Sequence, residues 1–166
     1  MESKKPIGRD FGGYEVLTEA VKVLLNEFPG LLPKESIGFE DLKKGSGIAF
    51  SADNGALIYT EKEDVCGGVV QLCRYPFFVI YRTSTDSERQ KLMIQKFLDA
   101  LGKWLCKETS VIDGESHKLV AYPKLASGRT IKKITRDNFY GLEPDESGVQ
   151  DWVLPVVIEY ENEFER

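Results

Sequence analysis

A chain of 166 residues, 42% hydrophobic and 30% charged, with 9 Phe, 7 Tyr and 2 Trp, can bury the core of one folded domain and does not have the composition of a disordered chain. Its 27 acidic residues outnumber 22 basic ones, and a net charge of −5 argues against a sequence-specific nucleic-acid binder. There is no run of about 18 apolar residues for a membrane span, and "MESKKPIGRDFGG" lacks the apolar stretch of a secretory signal.

The polar residues 1–10 read as a flexible segment ahead of a single domain over 11–166. "YEVLTEAVKVLLNEF" then has helical spacing, with Leu17, Ala20, Val21, Leu24 and Phe28 on one stripe. Gly12 and Gly13 precede this helix, and Pro29 and Gly30 end it. "GIAFSADNGALIYTEK" predicts a hairpin, because Asn54-Gly55 supplies the two positive-φ residues of a type I′ turn. Residues 67–82 continue as strand. Pro76 cannot donate to a ladder, so an edge, a bulge or a break is expected there.

A second helix follows at once and is expected to run to about Lys107. Thr85 and Glu88 have capping-box spacing, and Asp86 and Glu88 suit the positive end of the helix dipole. The predicted buried stripe is Met93, Ile94, Phe97, Leu98, Leu101, Trp104 and Leu105, with Asp99 and Lys103 paired at i,i+4 on the wet side. Residues 108–128 read as a long loop with room for one short strand around Lys118 to Tyr122. Two strands close the chain, over 129–140 and 149–164, joined by the turn-forming "GLEPDESG". In the last, Trp152, Leu154, Val156, Ile158 and Tyr160 alternate with Asp151, Pro155, Glu159 and Glu161, the pattern of a sheet with one face covered. The order predicts an α+β domain: a mainly antiparallel sheet with two amphipathic helices packed on one face.

Residues suited to chemistry are few. His117 is the sole histidine and lies in a Gly/Ser-rich loop, where a solvated role is the expectation. A Cys106–His117 pair lacks a recognisable oxyanion donor. Cys66 and Cys73 are seven apart in a strand region and alternate to opposite faces, with no metal-ligand spacing nearby. The three cysteines read as reduced thiols of a cytosolic setting. "GSG" at Gly45 to Gly47 lacks the Lys-Ser/Thr of a phosphate loop and leads into a strand, so it reads as a turn. The aromatics of "YPFFVIY" have only Arg74 and Arg82 beside them and read as core rather than as a base-stacking platform. The sequence therefore predicts no enzyme, no catalytic or metal-binding residue and no cofactor.

One charge pattern stands out. Residues 116–136 carry Lys118, Lys124, Arg129, Lys132, Lys133 and Arg136 and no acid. Residues 143–166 carry eight acids, including Glu143, Asp145, Glu146, Glu159 and Glu161, against one base. The two sets can pair across strands inside one subunit. They can equally form a head-to-tail contact between copies, or face solvent.

Three stretches together carry a resemblance. They are the first helix ending in "FPG", the unit "RYPFFVIYRTSTDSERQKLMIQKFLDALGKWL", and "SGRTIKKITRDNFYGLEPDESGVQDWVLPVVIEYE". Over roughly residues 14 to 162 the chain resembles the tail-terminator, or minor capsid, proteins of long-tailed bacteriophages and prophages. The resemblance rests on hydrophobic spacing rather than on a catalytic signature. It implies a small α+β virion protein that assembles into a six-membered ring, closes the tail tube, and meets the tail-tube protein on one side and the head connector or stopper on the other. It implies assembly in the host cytoplasm and no membrane partner. A neck or tail-completion protein of the same region is the nearest alternative. A small intracellular ligand-binding domain or enzyme is the alternative from a different class. Pro155 departs from the pattern, because it argues against a fully paired central position for the last strand.

Overall fold

In a computed structural model of the protein, residues 5–40, 42, 45–84 and 87–166 are described. In chain order they form β1 (Gly8–Arg9), α1 (Phe11–Asn26), β2 (Ile37–Phe39), β3 (Gly47–Ala52), β4 (Leu57–Glu63), β5 (Gly68–Thr83), α2 (Glu88–Leu105), β6 (Ser110–Ile112), β7 (Glu115–His117), β8 (Arg129–Arg136), β9 (Tyr140–Gly141) and β10 (Gln150–Glu165). The fold is α+β, as the order of elements predicts. Its spine is the antiparallel ribbon of β5 and β10, each 16 residues long and paired from end to end. β3 and β4 line the outer edge of β5, and β8 and β9 line the outer edge of β10. β1 joins β4, and β2 runs parallel to β3.

Period-2 alternation decides which face is covered. Cys73, Tyr75, Phe77 and Val79 of β5 and Leu154, Val156, Ile158 and Tyr160 of β10 are buried against the helices. The opposite face carries charged rungs, Arg74 beside Glu159 and Arg82 beside Asp151, with Pro76–Val157, Phe78–Pro155 and Ile80–Val153 between them. α1 buries Leu17, Val21, Leu24 and Leu25, and α2 buries Ile94, Leu98, Leu101, Trp104 and Leu105. Each such side chain contributes about 1.5–3 kcal/mol by leaving water.

Both ribbon strands contain a proline, and both prolines sit where the neighbouring edge is interrupted. A strand residue directs its N–H and C=O to the same side. The Pro76 carbonyl accepts from Asp53 N at 2.9 Å, so the missing N–H faces the stretch between β3 and β4. The Pro155 carbonyl accepts from Asp137 N at 3.0 Å, so its missing N–H faces the stretch between β8 and β9. The edge or break expected at Pro76 does not form, because β5 runs unbroken through it with neighbours on both sides; the interruption lies in the adjoining edge, at residues 53–56. Pro155 does not keep β10 from the centre of the sheet: β10 is flanked on both sides, and the proline lies in the gap between β8 and β9, where no ladder donor is required.

The predicted hairpin at Asn54-Gly55 is not formed. Both residues have the expected positive φ, 67° and 75°, but the chain does not reverse. β3 and β4 run in the same direction along β5, and residues 53–56 bulge opposite Tyr75 and Pro76. A partner strand of 16 residues offers edge to both segments, which outweighs local turn preference. A tight hairpin instead lies within the predicted 108–128 loop. β6 and β7 are joined by Asp113 and Gly114, at φ 50° and 82°. The stretch expected as strand, Lys118 to Tyr122, has no strand pairing.

The helix ends also differ from expectation. Asp10 caps α1, accepting from Gly13 N, so Gly12 and Gly13 belong to its first turn. β1 and the buried Asp10 show that the fold begins within the segment expected to be flexible. α2 is capped by Ser87 and stops at Leu105, short of Lys107; Thr85 and Asp86 lie outside the described residues. Met93 is not buried but 60% exposed. Ile94, Leu98, Leu101 and Leu105 face the sheet, and Met93 lies about 100° round the helix from them. The Asp99–Lys103 pair forms at 3.1 Å, in solvent where such pairs add little.

Candidate functional site

The bulge at residues 53–56 leaves the Ala56 carbonyl open, and Asp10 N donates to it at 2.9 Å. That bond lays the N-terminal segment against the sheet and drops the Asp10 side chain into the interior. There the carboxylate receives Arg129 through two nitrogens, Nε to Oδ2 at 2.9 Å and Nη2 to Oδ1 at 2.6 Å. The Tyr160 hydroxyl donates to Oδ2 at 2.7 Å, and Gly13 N donates to Oδ1 at 3.0 Å. Arg129 and Asp10 are 10% and 6% exposed, and Cys73 and Tyr160 are fully buried beside them. A Cβ at position 13 would collide with the Asp10 carboxylate and stand 2.7 Å from the Tyr160 hydroxyl, so the site requires glycine there.

Burial opposes the Asp10 charge, but hydrogen bonds from Arg129, Tyr160 and Gly13 prevail and hold its carboxyl below the usual range. Burial, together with the adjoining carboxylate, drives the Tyr160 hydroxyl far above an ordinary phenol. Burial pushes the Cys73 thiol up to about 11. The cluster ties α1, β5, β8 and β10 together, and Arg129 Nη1 donates outside it to the Ser127 carbonyl at 3.4 Å. Sequence reading missed Asp10. Its signal was an aspartate just ahead of the first apolar-periodic residues, the usual place of an N-cap.

The charged residues singled out from the sequence do not converge on one surface. Arg129 is inside the protein, paired with Asp10. Arg136 forms an ion pair with Glu108 beyond the end of α2. Lys132, the extra residue of a β8 bulge, reaches Glu161 across the open sheet face at 3.5 Å. Glu159 faces Arg74 at 3.5 Å. Of the alternatives open in the sequence, pairing within the subunit therefore accounts for Arg129, Arg136, Lys132, Glu159 and Glu161. Lys118, Lys124 and Lys133 are exposed and form no ion pair among the described residues. Glu143, Asp145 and Glu146 are exposed on the loop before β10. Asp145 organises that loop, its carboxylate accepting from the amides of Ser147 and Val149 at 2.8 and 2.9 Å.

No protein-family model matches the chain, and no curated protein matches it. Cys106 and His117 have different partners. The Cys106 thiol interacts with Arg136, while His117 Nε2 lies 3.8 Å from Glu115 on the β6–β7 hairpin. Among the described residues there is no group of three or more side chains able to hold a metal ion, and no helix long and apolar enough to cross a membrane.

The thiols should report this arrangement. Cys66 is exposed and is expected to react with an aromatic disulfide reagent at once, whereas Cys73 should react only on unfolding. Thiol counts with and without urea check it. Rapid labelling of Cys73 in native buffer would mean that the Asp10–Arg129–Tyr160 cluster opens locally.

Proposed function

We propose that the chain is a structural subunit of the virion of a long-tailed bacteriophage, acting at the head–tail joint. In this reading copies form a ring, six-membered in the virion, that terminates the tail tube and offers a surface to the head connector. The observation that supports the reading is that the small α+β domain implied by the resemblance agrees with the α+β fold observed. The polar interior also supports it, because Asp10, Arg129 and Tyr160 engage one another and present nothing to a substrate. Of the charged residues, Lys118, Lys124, Lys133, Glu143 and Glu146 retain the exposure that contact between copies needs. Such charges steer association and set register more than they hold it.

The test is electron microscopy of particles assembled with and without the gene. Without it, tails of uncontrolled length that fail to join heads are expected. Tails of normal length that remain unjoined would move the role to a neck or tail-completion protein. Normal, joined tails would overturn the reading.

A further inference from the structure

We propose that two copies of this chain pair back to back through the open face of the sheet, about a two-fold axis that runs along the β5–β10 ribbon. The inference goes beyond the proposed function, because a two-fold contact closes on itself and cannot propagate round a ring.

Both helices pack on the other face of the sheet. An antiparallel sheet with one face in water ordinarily carries polar side chains there. Here three alternate rungs of the ribbon, all facing outward, have none: Pro76–Val157, Phe78–Pro155 and Ile80–Val153. Phe78, Ile80, Val153 and Val157 take no part in the cluster under the helices. The row through Ile80 and Val153 spans four strands, from Ala49 of β3 to Tyr140 of β9, and Tyr140 is 44% exposed. Val70 and Leu72, 39% and 38% exposed, continue the face toward the start of β5. From Val70 to Arg82 the face is about 40 Å long at about 3.3 Å per residue, and four strands about 4.8 Å apart make it about 19 Å wide. That footprint, roughly 750 Å², is close to the 800 Å² or so that each partner gives to an ordinary stable interface.

The pattern on the face selects a second copy. The apolar rungs lie between Arg74–Glu159 and Arg82–Asp151, with the arginine on β5 and the acid on β10 each time. Each of these rungs is neutral but polarised across the ribbon. Elsewhere on the face Lys62, Lys132 and Lys133 stand against Glu161 and Glu163, so it is close to neutral and does not repel a copy of itself. Two sheets stack face to face about 10 Å apart. An axis along the strands lays β5 of one copy over β10 of the other at the same level. Arg82 then lies over Asp151 of the second copy and Arg74 over its Glu159, so the polarised rungs stack head to tail and attract. The same axis brings Tyr140, the projecting side chain of its row, over Ala49, the smallest of that row and 1% exposed. An axis across the strands would instead set Arg74 over Arg82 and Asp151 over Glu159. Charge and size therefore agree on one orientation.

Sedimentation velocity across a concentration series should show the wild type reaching a dimer. Tyr140→Asp and Val157→Lys, both at outward positions and each checked for fold by far-UV circular dichroism, should each remove it. Cross-linking reads the orientation. In a Cys66→Ser/Cys106→Ser background the remaining thiol, Cys73, is buried. Leu72→Cys then lies at the same level as its counterpart in the second copy, and a short bismaleimide is expected to join the two into a covalent dimer; adding Tyr140→Asp should abolish the product. A wild type that stays monomeric, a dimer that survives in either folded variant, or a dimer that Leu72→Cys does not cross-link would overturn the proposal. Purified protein suffices here, and the tail role is read from particles, so either reading can fail without the other.

Discussion

Arg129→Met is expected to lower stability by about 3–5 kcal/mol, the usual cost of leaving one partner of a buried ion pair without the other. Native domains have only about 5–15 kcal/mol in hand, so a large fall in denaturant midpoint should follow. The Asp10 carboxylate would remain among Tyr160, Cys73 and the start of α1 with its main counter-charge gone. The double variant Asp10→Asn/Arg129→Met should be less destabilised than Arg129→Met alone. Asparagine still caps α1 through Gly13 N, and a neutral pair no longer needs a counter-ion. Urea unfolding of the wild type, the two single variants Asp10→Asn and Arg129→Met, and the double variant decides it; losses that simply add would mean that the pair is not coupled.

The same cluster predicts an acid limb. The folded Asp10 carboxyl lies below its ordinary value of 3.8, so its stabilisation is fully present above that pH and is lost as pH falls through the lowered folded value. Below about pH 4 the wild type should lose stability more steeply than Asp10→Asn.

How much of this was legible in the sequence depended on whether the cause was local. Both helices were visible, because an apolar stripe at 3.6-residue spacing has one physical solution beside a sheet. The alternation in β10 was visible for the same reason at period 2. Turn chemistry was less reliable. Asn54-Gly55 and Asp113-Gly114 are both left-handed pairs, yet only the second closes a hairpin. What separates them is the length of β5, which accepts β3 and β4 end to end, and no window around residue 54 contains that fact. The charge asymmetry was visible too, but its meaning was not. Arg129 meets Asp10 across 119 residues of chain, and a composition count cannot distinguish a buried arginine from a surface one.

The stripe of α2 shows the same limit and yields the other large effect. Trp104→Ala is expected to cost about 3–5 kcal/mol, the penalty for emptying a buried aromatic site. Trp104 is 5% exposed and packs 5.4 Å from Phe28, at the point where the end of α1 meets the end of α2. Phe97 lies on the same helix and touches the same Phe28 ring, at 5.5 Å. It is only partly buried and borders an open groove beside α2, so Phe97→Ala removes less protected contact and should cost less than Trp104→Ala. Because both side chains lean on Phe28, the double variant should lose less than the sum of the two. Far-UV circular dichroism during urea unfolding reads all three without depending on tryptophan emission. If Trp104→Ala melts as the wild type does, the two helix ends are not joined through Phe28. If Phe97→Ala is the more damaging, the Phe97 ring carries more of the core's packing than its partial burial implies.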